Sequence, residues 1–203
     1  MIALIDFGAG NLKSAWHAIS ALTSKVDIVV SPAELPSGTR GLVLPGDGSF
    51  RSAIERLEET GFARYLREEN RLPLLGICVG FQLLFRHSDE DGGADGLGLI
   101  DGQVVRFPSG PEKVPHMGCN PTRQVKASPL LEGVPENSFF YYVHSYHAVV
   151  PSHSRGAVLL ETEYIHPFVS GVEQGTVCGF QFHPEKSHHA GHRILANWVK
   201  GLS

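Results

Sequence analysis

The sequence predicts an α/β fold: a single domain over residues 1–203 with a mixed, largely parallel sheet and helices on both faces. Two observations carry this reading. In the first half, apolar β-rich runs alternate with helix-spaced segments, the pattern made by parallel strands joined through covering helices. From Gln103 to Phe182 the pattern changes to short β-rich runs separated by turn residues, which makes the sheet mixed.

Ile2-Ala3-Leu4-Ile5-Asp6-Phe7 suits a strand buried on both faces, ended by Gly8-Ala9-Gly10-Asn11. Asn11 is then placed to cap a helix in which Leu12, Ala15, Trp16, Ile19 and Leu22 recur at helical spacing. Val26 to Val30 is a second strand, closed by Ser31-Pro32, and Gly41 to Leu44 a third, closed by Pro45-Gly46-Asp47-Gly48. Helical spacing returns from Phe50 through Leu66, with a break near Gly61. Leu74 to Ile77 is the fourth strand, and a helix over Val79 to Phe85 follows at once. In the second half, Val104 to Phe107, Phe139 to Val143, Ala157 to Leu160 and Val177 to Phe182 are β-rich, and a last helix runs from about His189 to Trp198.

Composition narrows the class of function. Of 203 residues, 42% are hydrophobic and 19% charged, and the formal net charge is −4, with no Lys/Arg stripe to neutralise successive phosphates. Nucleic acid is therefore not the expected partner. The apolar stretches are too short for a bilayer, and no basic segment precedes the first apolar run, so no export or insertion signal is expected. Three cysteines cannot all pair, and a chain this long can bury a core without disulfides, which points to a reducing cytoplasmic compartment.

In parallel α/β sheets the strand carboxyl ends hold the site. Gly76-Ile77-Cys78-Val79-Gly80 has the spacing of a nucleophile elbow with cysteine at its centre. There the thiol sits over the first turn of a helix, whose free N–H groups favour a thiolate, and the Val79 N–H would point at a developing oxyanion. Cysteine is also among the most buried residue types, so the motif alone leaves a packing role open. Phe182-His183-Pro184-Glu185 tips the balance. Two residues of extended chain span roughly 6.6 Å and share a face, so Glu185 can orient the His183 imidazole. Cys78, His183 and Glu185 then form a nucleophilic triad.

Together these strings resemble the class I (triad) glutamine amidotransferases. Pro45-Gly46-Asp47-Gly48-Ser49-Phe50, Val114-Pro115-His116-Met117-Gly118-Cys119-Asn120, Tyr142-Val143-His144-Ser145-Tyr146 and Lys186-Ser187 are similar to the glutaminase subunits of imidazole glycerol phosphate synthase. The resemblance implies a flavodoxin-like fold and no cofactor or metal. It implies a second oxyanion donor from the Asp47-Gly48 turn. It further implies a glutamine site around Gly48, Gln82, Glu90, His144, Ser145 and Tyr146. The partner would be a (β/α)8 barrel cyclase subunit that receives ammonia, with Asn11, Cys119, Asn120, Tyr141 and Lys186 as candidate contacts. Cys119 stands where the family usually has tryptophan, Asp47 where an apolar residue is common, and Phe81 where methionine is more usual.

Two other readings compete. The glutaminase of pyridoxal phosphate synthase is also a short triad enzyme with a barrel partner. A metal-binding module is suggested by 11 histidines and by His188 and His192 at i and i+4, although no third ligand has defined spacing.

Overall fold

The computed structural model describes residues 1–8, 10–110 and 112–202. In chain order its first half comprises β1 (Ile2–Ile5), α1 (Leu12–Ser20), β2 (Val26–Val29), β3 (Gly41–Leu44), α2 (Phe50–Glu59), α3 (Phe62–Arg64), β4 (Leu74–Ile77) and α4 (Val79–Gln82). The second half comprises β5 (His87–Ser88), β6 (Ala94–Asp95), β7 (Gln103–Arg106), β8 (His116–Gln124) and β9 (Ser138–His144). These lead to β10 (Tyr146–Val149), β11 (Val158–Glu163), β12 (Pro167–Gln174), β13 (Val177–Phe180) and α5 (His188–Gly201).

The strands form one mixed sheet in the order β2-β1-β3-β4-β13-β12-β10-β7-β5-β6. Its first five strands, from β2 to β13, are all parallel to their neighbours. Antiparallel pairing begins at β12, which also holds β11 and, through β11, the β8–β9 hairpin. α1 packs with α5, and α2 packs with α3 and α4, covering the two faces of the parallel block. β1, β3 and β4 are buried along their whole length, as strands covered on both sides must be. No helix among the described residues is long and apolar enough to cross a membrane.

The first-half elements fall where periodicity places them, and three details differ. α4 stops at Gln82, and Leu84 and Phe85 continue only as tighter i→i+3 turns. The carbonyls of Leu83, Leu84 and Phe85, which further helix would use, instead accept from the N–H groups of Leu97, Ile100 and Gly98. β5, β6, β8, β10 and β12 were not expected. In β8, Gly118 and Pro121 interrupt any apolar alternation, and the strand is held by seven residue pairs to β9 rather than by its own propensity. Finally, α5 runs three residues beyond Trp198.

A cluster of rings fills the space under the second half of the sheet. His147 is buried there, 4.4 Å from the Phe107 ring and 4.7 Å from that of His166. Burial disfavours its charged form and pushes its pKa down to about 4, with the Ala148 carbonyl acting weakly the other way. Below pH 6.5 the unfolded chain therefore binds a proton that the folded chain refuses. This residue's contribution is present above that pH and is lost as the pH falls toward 4, at about 1.4 kcal/mol per pH unit. Denaturant midpoints measured from pH 7 to pH 5 should fall, and His147→Phe should flatten that slope; an unchanged slope would refute the assignment.

Candidate active site

Cys78 lies between β4 and α4 with φ 55° and ψ −111°, a left-handed backbone that side chains rarely adopt. The flanking glycines make this turn possible by close approach. A Cβ on Gly80 would sit 1.8 Å from the Leu44 carbonyl oxygen, and one on Gly76 would sit 2.7 Å from the Gly80 oxygen. The neighbouring strand β3 therefore presses directly on the elbow, which aims the thiol out of the sheet's carboxyl end.

His183 follows β13 and is held by backbone bonds on both sides. Its N–H donates to the Tyr141 carbonyl at 3.0 Å, and its own carbonyl accepts from Ser187 Oγ at 2.6 Å. Glu185 Oε1 accepts from His183 Nδ1 at 2.8 Å, and both side chains are sealed from solvent. The contact was expected from extended chain. Instead Pro184–Lys186 forms a 3-10 turn, so tight winding rather than a shared strand face brings the carboxylate to the ring.

His183 Nε2 is buried and has no hydrogen-bond partner at ordinary distance. Burial opposes a charge on this ring, but its interactions with the Cys78 sulfur and then with the Glu185 carboxylate outweigh it and push the pKa up to about 10. A proton on the histidine beside the sulfur is the arrangement that supports a nucleophilic thiolate.

Asn11 occupies the N-cap position of α1, as expected, but makes no side-chain cap. Its φ of 64° turns the amide the other way, and Nδ2 donates to Glu185 Oε1 at 2.6 Å, 3.1 Å from His183 Nδ1. The residue expected to cap a helix and meet a partner thus reaches the triad carboxylate. Asparagine's known tolerance of the left-handed region is the only sequence signal for this.

One cavity of about 420 Å³ joins these groups. Its wall includes Cys78 and His183, together with every residue assigned to glutamine by resemblance: Gly48, Gln82, Glu90, His144, Ser145 and Tyr146. Asp47, Val79 and Lys186 line it as well. The Val79 N–H, expected to face a developing oxyanion, is directed instead at the Gly46 carbonyl, 3.4 Å away. At that length the bond is weak, so little opposes its exchange for a better acceptor.

The polar groups of the cavity are oriented by their neighbours. Gln82 Nε2 donates to the Tyr146 carbonyl and to Gln181 Oε1, both at 3.0 Å, which leaves Gln82 Oε1 as an acceptor. Sequence reasoning missed Gln181, because nothing distinguishes one strand-end glutamine from another. Glu90 accepts from the Phe50 N–H at 2.7 Å, at the start of α2. Burial raises its pKa, and the Phe50 bond partly offsets that. His144 Nδ1 lies 2.7 Å from the Tyr146 carbonyl, and desolvation lowers its pKa to about 3.

The remaining partner candidates lie on or beside the β8–β9 hairpin. Cys119 is exposed and Lys186 is exposed; Asn120 and Tyr141 are half-buried. On the same hairpin Met117 and Phe139 are 63% and 61% exposed. Among the described residues no group of three His, Cys, Asp or Glu side chains is gathered as a metal would require, and His188 and His192 find no third ligand.

An elbow cysteine, a histidine on a carboxylate and one shared cavity are the parts that a nucleophilic triad requires. The family model "Glutamine amidotransferase class-I" matches residues 3–202. The chain is 48% identical to the imidazole glycerol phosphate synthase subunit HisH of Geobacillus kaustophilus, over 98% of this chain and 96% of that protein. It is 43% identical to the HisH subunit of Methanocaldococcus jannaschii, with both chains fully covered. Among solved structures it superposes on a glutamine amidotransferase with a TM-score of 0.74 at 19% identity, covering 99% of this chain and 98% of that one. PurLQS from Thermotoga maritima superposes with a TM-score of 0.71 at 18% identity, covering 100% and 98%. The chain belongs to the class I glutamine amidotransferase family, and within it to the HisH subunits of imidazole glycerol phosphate synthase.

Proposed function

We propose that this chain, acting as one domain over residues 1–203 in the cytoplasm, is a glutaminase that releases ammonia from L-glutamine for a cyclase subunit. The carrying observation is the sealed His183–Glu185 pair, whose histidine stands on the wall of the cavity that also holds Cys78. Cys78 Sγ attacks the carboxamide carbon, and the oxygen's growing charge is taken by backbone N–H groups of Val79 and the Asp47-Gly48 turn. His183 Nε2 gives its proton to the leaving ammonia, and a glutamyl thioester remains. The same nitrogen then accepts a proton from water, whose oxygen attacks the thioester carbon. Glutamate leaves, and the sulfur and histidine regain their first state.

Glu185 keeps Nδ1 protonated throughout, and Asn11 holds Glu185. Glu90 offers a carboxylate to the substrate ammonium, and the Gln82 oxygen adds an acceptor. For turnover the Val79 N–H must leave the Gly46 carbonyl. A partner that stabilises the alternative turn would thereby switch the site on, since it binds one state better than the other.

The partner is proposed to be a (β/α)8 barrel that docks on the β8–β9 face. Exposed Met117 and Phe139 are apolar surface that such docking would cover. Ammonia, protonated in bulk water, is passed directly into a reaction that yields imidazole glycerol phosphate and aminoimidazole carboxamide ribotide. The names of the relatives favour this pathway over the pyridoxal phosphate one. Glutamate release by the purified chain with and without the cyclase and its nucleotide ligand is the test. Release that depends on both supports the proposal, and no release in either condition refutes it.

Cys119, small where the family places tryptophan, sits on the docking face. Cys119→Trp should lower the glutamate formed per cyclised product toward one by narrowing the exit for ammonia. An equal ratio in both proteins would remove that role.

A further inference from the structure

Four fixed contacts run from the docking face into the glutamine cavity. The Asn120 amide is oriented by Glu163, whose carbonyl accepts from Asn120 Nδ2 at 3.1 Å. Asn120 therefore turns Oδ1 toward His116, 2.9 Å from Nε2, and an acceptor there requires a proton on Nε2. At the far end the Tyr146 carbonyl lies 2.7 Å from His144 Nδ1 and requires a proton there. Between the rings, His116 Nδ1 and His144 Nε2 lie 3.1 Å apart. If both rings are neutral, each has already placed its only N–H at the outer end. Two lone pairs then face one another across a buried gap, since His116 is 1% and His144 7% exposed. One added proton converts that repulsion into an N–H···N bond.

The surroundings limit what else can respond. His116 is stacked between the Tyr164 ring at 3.9 Å and the Tyr142 ring at 4.8 Å, and Phe168 borders both histidines. The Tyr164 hydroxyl donates to the Lys113 carbonyl, and burial first, against bonds from Thr122, Thr162 and Ser170, pushes Tyr142 up to about 12, so that phenol stays neutral. His147, His166 and His183 are the other imidazoles nearby, and Asp47, Glu90 and Lys186 share the cavity wall. No carboxylate among the described residues bonds to either ring. With no such bond in the empty cavity, desolvation holds both histidines below their ordinary pKa.

A substrate with a free carboxylate changes that balance. We infer that His116 is a positioning residue of the glutamine cavity, and that the His116–His144 couple takes one proton from water when the substrate carboxylate enters. The proton sits between the two rings and adds a positive charge behind the His144 wall of the cavity. This rests on the glutaminase reading, because the anion invoked is the α-carboxylate of glutamine.

Calorimetry separates the two claims. A Cys78→Ala complex with the cyclase subunit binds glutamine without turning it over. Titrations at pH 8 in buffers of different ionisation enthalpy count the protons taken up. About one proton per glutamine is expected, and His116→Phe, which keeps the ring stack, should bring uptake close to zero and weaken binding about tenfold. Equal uptake in the two backgrounds overturns the inference while leaving the glutaminase reading intact; no binding of glutamine in either overturns both. Nitrogen-15 spectra of the imidazoles in the complex with His116 present give a reading independent of the variant's folding. A shared-proton signal on both rings with glutamine bound supports the couple, and two neutral rings refute it.

Discussion

Cys78→Ala should abolish glutamine-dependent synthesis in the assembled enzyme, lowering glutamate release by at least about 10⁴-fold, while synthesis from added ammonium salt continues. The size follows from losing the nucleophile of a triad, where the residual rate reflects only the oxyanion donors and binding. The retained ammonia reaction follows because this chain contributes ammonia and not the cyclisation chemistry. Circular dichroism should be unchanged or slightly improved, since alanine keeps the Cβ while the strain at φ 55° remains. Loss of both activities would mean that the substitution breaks the assembly rather than the chemistry. Unchanged glutamate release would mean that Cys78 is a packing residue after all.

Gly80→Ala should be the most damaging single methyl in the chain. The added Cβ would lie 1.8 Å from the Leu44 carbonyl oxygen and 2.8 Å from its carbon, a clash with backbone of a central strand that no rotamer change relieves. Either β3 and β4 separate or α4 turns away from the sheet, and both disturb the elbow. Destabilisation of about 3 kcal/mol or more is expected, in the range of severe overpacking. It should appear as loss of soluble protein or a lowered denaturation midpoint, with activity lost in whatever folds. Gly156→Ala is the matched control, because a Cβ there meets nothing within 4 Å. A Gly80→Ala protein as stable as that control would contradict the packing described.

How far these features could be read from sequence depends on which force shapes each one. β1, β3 and β4 are legible because burial on both faces demands continuous apolar runs, and the glycines around Cys78 are legible because a strained turn demands them. β8 is held by pairing and carries Gly118 and Pro121, so its own residues do not announce it. That His183 and Glu185 would meet could be read, yet the way Glu185 reaches His183 could not. A 3-10 turn and an extended segment put i and i+2 within similar reach. Asn11 was visible as a cap and its contact with Glu185 was not, since that contact depends on two segments 174 residues apart meeting at the carboxyl end of the parallel strands. The same holds for Gln181 behind Gln82 and for His116 behind His144, which act through another side chain. The Val79 N–H resting on Gly46 belongs to the state of the turn, and no residue pattern encodes which of two states is occupied.

In the proposed function this chain's triad makes ammonia for a cyclase that consumes it. The most direct measurement is the ratio of glutamate released to imidazole glycerol phosphate formed by the purified two-subunit enzyme, with glutamine as the only nitrogen source. A ratio near one, with both products vanishing in Cys78→Ala, is predicted. Product formed without glutamate, or glutamate formed equally by Cys78→Ala, would contradict it.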